Sequence, residues 1–466
     1  MDITGREAGD LLTMLERKEV SAQELMRATL ERIAASNGPL NAIVDLRDED
    51  VLMQEARAAD AAPMRGALHG LPMAVKDLAN VAGLPTSQGS PLFAGQVAKT
   101  DDLHVARMRA SGAIFIGKTN TPEFGLGSHT FNPVHGVTRN PYNAARSCGG
   151  SSGGAAVALA AGMLSLADGS DMMGSLRNPA GWCNVYGMRP SWSLVPSEPR
   201  ADTFLHQLST NGPMARSPRD MARLLAVMAG PDPRQPHGMP VPDLSHIRPE
   251  AKGARIGWLG NWGGALPFEA GILELSDEAL RVFEGLGVTI EPVQPPFSRD
   301  ALWQSWVTLR HWAVSANLSP LLESGRLMKS EAIWEVEEGQ RLSALEVHKA
   351  SVIRSGWFAA AARLFETYEA LVLPTAQVWP FPADWTYPKE IAGHQMDTYH
   401  RWMEVVVPAS LAGLPAVAVP AGFGTDGLPM GIQLIGRRGG DARLLELAQA
   451  YHEATLWPTR RPPVLS

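Results

Sequence analysis

The residues best equipped for chemistry lie in one stretch, Cys148 to Arg177, which reads CGGSSGGAAVALAAGMLSLADGSDMMGSLR. Two adjacent serines, Ser151 and Ser152, stand between two glycine pairs, and a third, Ser175, follows Gly174. Serine is a weak nucleophile at its free pKa and needs a neighbouring base. Four glycines around two hydroxyls describe a shaped backbone, because glycine permits positive φ and close approach. The packed run Ala155 to Gly162 that follows is unlike a solvated linker. Further up the chain, Gly70-Leu-Pro-Met-Ala-Val ends in Lys76 and Asp77. Taken alone, such a lysine reads as a solvated strand end.

Several motifs match by letter and fail by context. Gly422-Phe-Gly424-Thr-Asp-Gly427 has dinucleotide-fingerprint spacing, but Pro429 and an apolar run follow where a helix is required. Gly149-Gly-Ser-Ser-Gly-Gly lacks the Lys-Ser/Thr of a phosphate loop. The 12 histidines show no metal-binding spacing, and His129 and His135 read as hydrogen-bonded loop residues. Gly150-Ser-Ser152-Gly-Gly154 fits the nucleophile elbow, which must follow a buried strand. The preceding Asn140-Pro-Tyr-Asn-Ala-Ala-Arg-Ser-Cys reads as no strand, so that assignment of Ser152 is rejected.

These groups must be positioned by an α/β framework. The pattern gives two helices within 8–35, the second opened by a Ser21/Glu24 capping box, a strand at 41–44 and a helix at 49–62. Strand 70–77, helix 101–111 and strand 113–117 form a βαβ-like rhythm. Residues 119–146 are turn-rich, and long irregular segments in compact chains are usually functional. A helix is expected at 218–229, a surface connection at 231–250, a strand at 254–259, a helix at 276–286 and a strand at 288–293. Residues 300–367 read as mostly helical and carry Trp303, Trp306, Trp312, Trp334 and Trp357. Strand 370–374, a hairpin of 416–419 and 430–435 about Asp426-Gly427, and a helix at 441–453 complete the reading.

Composition bounds the function. Length alone allows about three domains across the 466 residues, although large α/β folds often run longer as one unit. With 45% hydrophobic and 19% charged residues, a sizeable core can be built. A net charge of −7 with both signs mixed argues against a nucleic-acid partner. Cys148 and Cys183 are too few for a disulfide framework, and the start MDITGREAGDLL has no signal-peptide pattern. No run approaches 18 apolar residues, so no membrane partner is expected, and a soluble cytoplasmic protein is the default.

The central stretch resembles the amidase signature family, whose core reads GGSSGG, a small-residue helix, then GTDTGGSIR. The separations agree with the family's triad: 75 residues from Lys76 to Ser151 and 24 from Ser151 to Ser175. Gly117 to Gly125, Arg139-Asn-Pro, Gly212 to Arg216, Leu373-Pro-Thr375 and Leu411 to Pro415 also look like family blocks, whereas 265–367 shows no such match. The resemblance implies one α/β/α domain around a large mixed β-sheet over 1–466. It comprises an N-terminal helical segment (1–62), the signature core (63–230), a variable helical region (265–367) and the C-terminal part of the core (370–460). It implies amide C–N hydrolysis through an acyl-enzyme on Ser175, with Ser151 relaying a proton to a neutral Lys76, and no metal or organic cofactor. A cis Gly150–Ser151 bond is also implied. So is an oxyanion hole of the backbone N–H groups of Met172, Met173, Gly174 and Ser175, with Asp171 and Arg177 bracing the loop. Ser152 is then structural, bonding loop backbone or capping the next helix.

The family's T-G-G before the nucleophile is Met172-Met173-Gly174 here, either tolerated by the same backbone or reshaping the hole. With Gly125 as a further substrate contact, the methionines and the tryptophans of 303–357 suggest a small-molecule amide substrate with an apolar or aryl portion. Two alternatives are weighed. One is the A subunit of a glutamyl-tRNA amidotransferase, against which the methionines and the tryptophan-rich region speak. The other is a non-catalytic binding member, against which the intact Lys76, Ser151 and Ser175 speak. Oligomeric state is open, a homodimer included.

Overall fold

The computed structural model describes residues 3–200, 202–205, 207–325 and 327–463. Its centre is a mixed sheet of eight strands. From one edge they run Thr289–Pro292, Arg255–Trp258, Ala370–Pro374, Pro429–Ile435, Ala416–Phe423, Tyr186–Arg189, Thr210–Ala215 and Leu166–Asp171. The first three are mutually parallel and the remaining neighbours antiparallel. Successive side chains on a strand point to opposite faces, and the core divides accordingly. Val417, Val419, Ala370 and Val372 pack with helices Pro218–Met228, Ile272–Gly285 and Asp441–Thr455. Ala416, Leu371 and Leu373 pack on the other side with helices Arg299–Glu323 and Ala344–Leu364. Ala418 joins the buried helix Gly153–Ala160 there. Helices therefore cover both faces of the sheet, giving an α/β/α arrangement.

A second, three-stranded sheet carries Lys76. Strand Pro72–Lys76 runs parallel to Ile114–Thr119, with helix Leu103–Ala110 between them in sequence, and Ile43–Val44 pairs antiparallel on the far side. This is the expected βαβ unit. The capping box at Ser21 and Glu24, the hairpin about Gly427 and the closing helix also stand where the sequence put them.

Three readings are corrected. Strands Leu166–Asp171, Tyr186–Arg189 and Thr210–Ala215 were not identified; each contains glycine, and one contains Gly212-Pro213, residues that weaken strand patterns. Helix Ile272–Gly285 begins four residues before 276, because its first turn buries Ile272. Residues Asn143–Ser147 do form a strand, but in an exposed two-stranded ribbon with Arg139–Asn140 rather than in a buried sheet. Among the described residues no helix is long and apolar enough to cross a membrane.

Candidate active site

Lys76 is the last residue of its strand and is fully buried, not solvated, since the strand end abuts the edge of the large sheet. Its backbone N–H donates to Asp168 Oδ1 at 3.0 Å, which ties the two sheets together. Its ammonium-bearing end is ringed by three hydroxyls: Ser151 Oγ at 2.7 Å, Ser152 Oγ at 2.9 Å and Ser170 Oγ at 3.1 Å. Burial pulls the lysine down to about 7, against the opposing charges of Asp168 and Asp171. Near neutrality the amine is thus divided between its charged and neutral forms.

Hydrogen counting separates the two adjacent serines. A charged lysine offers three N–H donors; a neutral one offers two and a lone pair, so one hydroxyl must then donate to it. Ser152 has its hydrogen directed at Ser170 O (3.3 Å) and accepts from Ser170 N–H (3.4 Å). Ser151 has no other hydrogen-bond partner among the described residues and lies closest to Nζ. It is the hydroxyl placed to give its proton to the lone pair. Ser152 occupies the N-cap of helix Gly153–Ala160, yet its side chain caps nothing. Of the two structural roles expected for Ser152, it bonds backbone at Ser170 and does not cap the helix, and the tight turn also brings its hydroxyl to Nζ beside that of Ser151. The close packing has a backbone cause: a Cβ on Gly154 would stand 2.3 Å from Asn120 N and 2.6 Å from Ala42 O. The Gly150–Ser151 bond is cis.

Ser175 follows the edge strand Leu166–Asp171, and its carbonyl accepts Ser152 N–H at 3.2 Å. Ser151, Ser170 and Ser175 line one cavity of about 210 Å³ together with Gly125, Met172 and Met173. The loop before Ser175 is pinned by the buried Asp171. Its carboxylate accepts from Gly174 N–H (2.9 Å), Leu176 N–H (3.1 Å), Arg177 Nε (3.0 Å) and Arg177 Nη2 (3.0 Å). Arg189 Nη1 stands 3.3 Å from the same carboxylate. Burial alone would raise the Asp171 pKa, but the two guanidiniums hold it far below the usual carboxylate range. Arg177 in turn donates to Val406 O (3.1 Å), Gln433 Oε1 (2.6 Å) and Ser410 Oγ (2.6 Å).

This geometry corrects the expected donor set. Gly174 N–H is committed to Asp171, a buried anion that needs every donor in reach. The N–H groups of Met172, Met173 and Ser175 have no acceptor among the described residues. Only Gly174 in this turn has positive φ (80°), and a Cβ there would come within 2.9 Å of the Val406 side chain. The two methionines therefore sit in ordinary backbone, and both line the cavity. The tryptophans do not: Trp303, Trp306 and Trp357 are core, and Trp312 and Trp334 are absent from the cavity wall. Trp303, Trp306, Trp312 and Trp357 pack helices Arg299–Glu323 and Ala344–Leu364 into the core beside the sheet, and Trp334 lies edge-on to His311, Tyr399 and His400. The apolar wall comes from Leu78, Phe124, Leu126, Val314, Leu318 and Met403, with the methionines.

Four positions were missed in sequence. Asp168 and Ser170 share the edge strand Leu166–Asp171, whereas His104 and Arg310 come from distant helices and reach this region only through the fold. Asp168 Oδ2 lies 3.3 Å from His104 Nε2 behind the lysine, and Arg310 lines the cavity. The histidines singled out earlier are loop residues: His129 bonds Ala383 O and Ser147 Oγ, and His135 bonds Ser87 Oγ. Among the described residues no cluster of His, Cys, Asp and Glu is arranged to hold a metal.

Comparison with known proteins gives a consistent picture. The family model described as Amidase matches residues 24–445, running through 265–367, the region in which sequence reading found no family block. An acylamidase from Rhodococcus erythropolis is 32% identical over 465 residues, covering 98% of this chain and 96% of that protein. The A subunit of a glutamyl-tRNA(Gln) amidotransferase from Moorella thermoacetica is 34% identical, with 98% of each chain covered. The crystal structure of a bacterial aryl acylamidase of the amidase signature family superposes with a TM-score of 0.90 at 28% identity. It covers 98% of this chain and 99% of that one.

Proposed function

We propose a specific reaction for this chain, which belongs to the amidase signature family and is an amide-hydrolysing enzyme. Ser175 Oγ attacks the carbonyl carbon of a carboxamide. Its proton passes to Ser151, and the Ser151 proton passes to neutral Lys76. The carbonyl oxygen becomes an oxyanion facing the unengaged N–H groups of Met172, Met173 and Ser175, where each donor is worth roughly 10²–10³ in rate. The C–N bond breaks, the amine leaves with a proton returned through Ser151, and an acyl ester remains on Ser175. Water then attacks that ester along the same proton route, releasing the acid. The observation that carries this reading is the buried lysine, lowered to about 7 and 2.7 Å from a serine on the cavity wall that also holds Ser175.

The substrates proposed are small amides with an apolar or aryl portion. The aliphatic and thioether lining supports this, as do the names of an acylamidase and an aryl acylamidase among similar proteins. A hydrolysis screen of aryl amides, aliphatic amides and amino-acid amides tests it. Anilides should lead; acetamide or glutamine outperforming them would sink the substrate class. A second reading, an ammonia-releasing subunit of a tRNA-bound complex, is favoured by the similarity to an amidotransferase A subunit. Glutaminase activity that appears only with partner proteins would select it.

A further inference from the structure

Among the described residues, Arg310 is the one charged side chain on the wall of the cavity. It comes from helix Arg299–Glu323 and is 3% exposed. Two of its three nitrogens are occupied from behind. Nε donates to Glu335 Oε1 at 2.7 Å and Nη2 to Tyr399 OH at 2.7 Å, while Tyr399 OH donates to Glu335 Oε1 at 2.5 Å. Burial by itself would lower the guanidinium pKa, but the Glu335 carboxylate outweighs it and keeps the group charged. The remaining nitrogen, Nη1, has only Met172 Sδ, at 3.6 Å, among the described acceptors. A thioether is a weak acceptor, so two N–H bonds of a buried cation are left close to unpaired. A helical arginine needed only to neutralise Glu335 would not need to hold its free edge against the cavity residue Met172.

Resting on the amide-hydrolysis reading above, we infer that Arg310 is a specificity residue whose Nη1 receives an uncharged oxygen acceptor on the substrate, such as a ketone or nitro group. The acceptor is uncharged because the guanidinium already has its counter-ion. Glu335 Oε2 is buried without a hydrogen-bond partner of its own, and a carboxylate brought to Arg310 would set a second anion beside it. A site built to hydrogen-bond a substrate group rejects the analogue that lacks it, since its own donors are then stranded.

The test uses anilides that share one scaffold and carry methyl, acetyl or carboxylate, in one series on the aniline ring and in a second on the acyl portion. kcat/KM is compared between the natural enzyme and the Arg310→Met/Glu335→Gln double variant, which leaves no buried charge unpaired. Substituent electronics cancel in that comparison. In at least one series the acetyl-over-methyl ratio should fall by about tenfold in the variant, chiefly through KM, the worth of one charge-assisted hydrogen bond. Arg310→Lys, which keeps the charge and loses the planar fork, should lower the same ratio should the double variant not fold. Equal ratios in natural enzyme and variant in both series overturn the inference, as does the carboxylate substrate profiting most from Arg310. Should no anilide be hydrolysed, the substrate class proposed above fails instead; should no amide of any kind be hydrolysed, the reaction itself fails. The same ligands are then compared by calorimetric binding to Ser175→Ala with and without Arg310, where an equal acetyl-over-methyl affinity ratio again overturns the role.

Discussion

Two basic side chains are buried beside one cavity and are treated in opposite ways. Lys76 is ringed by hydroxyls, which can donate as readily as accept, and burial brings it down to about 7. Arg310 is backed by a carboxylate at 2.7 Å and stays charged. Lys76, as the proposed base, must be able to lose its proton, and Arg310, as the proposed binding cation, must not. The fold meets these two demands by the choice of neighbour, because desolvation acts on both groups alike. Lys118, on the strand beside Lys76, is an intermediate case: burial also lowers it, while Asp77 at 3.5 Å opposes the fall.

The largest expected effect is on the nucleophile that the Lys76 side serves. Ser175→Ala should lose at least about 10⁴-fold in kcat, as nucleophile deletions in serine hydrolases do. A fluorophosphonate adduct should map to Ser175 by mass spectrometry. An adduct on Ser152 would break the comparison at its root, and complete failure to label would point to a non-catalytic protein. Next comes the base itself. Lys76→Met should cut kcat/KM by roughly 10²–10⁴, the usual worth of general acid–base catalysis. In the natural enzyme kcat/KM should rise with pH through about 7 and level off above it, because only the neutral amine accepts a proton. A rate that falls across that interval would mean the lysine works as a cation, like Arg310.

The adjacent serines sharpen the picture. Ser151→Ala should lower kcat by about 10²-fold or more with little change in Tm, since the proton path is cut. Ser152→Ala removes an acceptor from Lys76 and a bond to Ser170, so about tenfold in kcat is expected. The reverse order would shift the triad by one residue. The smallest effect belongs to Asp168. Its carboxylate favours the charged lysine, so Asp168→Asn should move the acid limb of the kcat/KM profile to lower pH, by on the order of one unit. A limb that moves upward would mean Asp168 acts only by fixing the strand through Lys76 N–H.

Much of this was legible before the fold was known, and for identifiable reasons. Lys76, Ser151 and Ser175 stand at fixed spacings within recognisable local motifs, and the cavity places Ser151 and Ser175 together. Hidden from the sequence was whatever depends on strand register. Asp168 faces Lys76 only because Leu166–Asp171 is an edge strand, and Gly169-Ser170-Asp171 does not look like one. The commitment of Gly174 N–H to Asp171 depends on a turn whose path no spacing reveals. The tryptophans misled because sequence gives bulk and polarity but not whether a helix face meets the core or a cavity. Arg310 was invisible for the converse reason, as its partners Glu335 and Tyr399 lie 25 and 89 residues further on.

The anchoring of Arg177 has a consequence for biosynthesis. Every group assigned to the reaction is translated within the first 175 of 466 residues. The loop that shapes them is nonetheless tied to Val406, Ser410 and Gln433 through Arg177. A ribosome-bound chain that has passed Ser175 thus holds all the proposed chemistry but lacks the anchors of the loop that carries Ser175. Nascent chains stalled before Gln433 emerges should be silent towards a serine-reactive probe, and reactivity should switch on only once the strand Pro429–Ile435 is free to join the sheet.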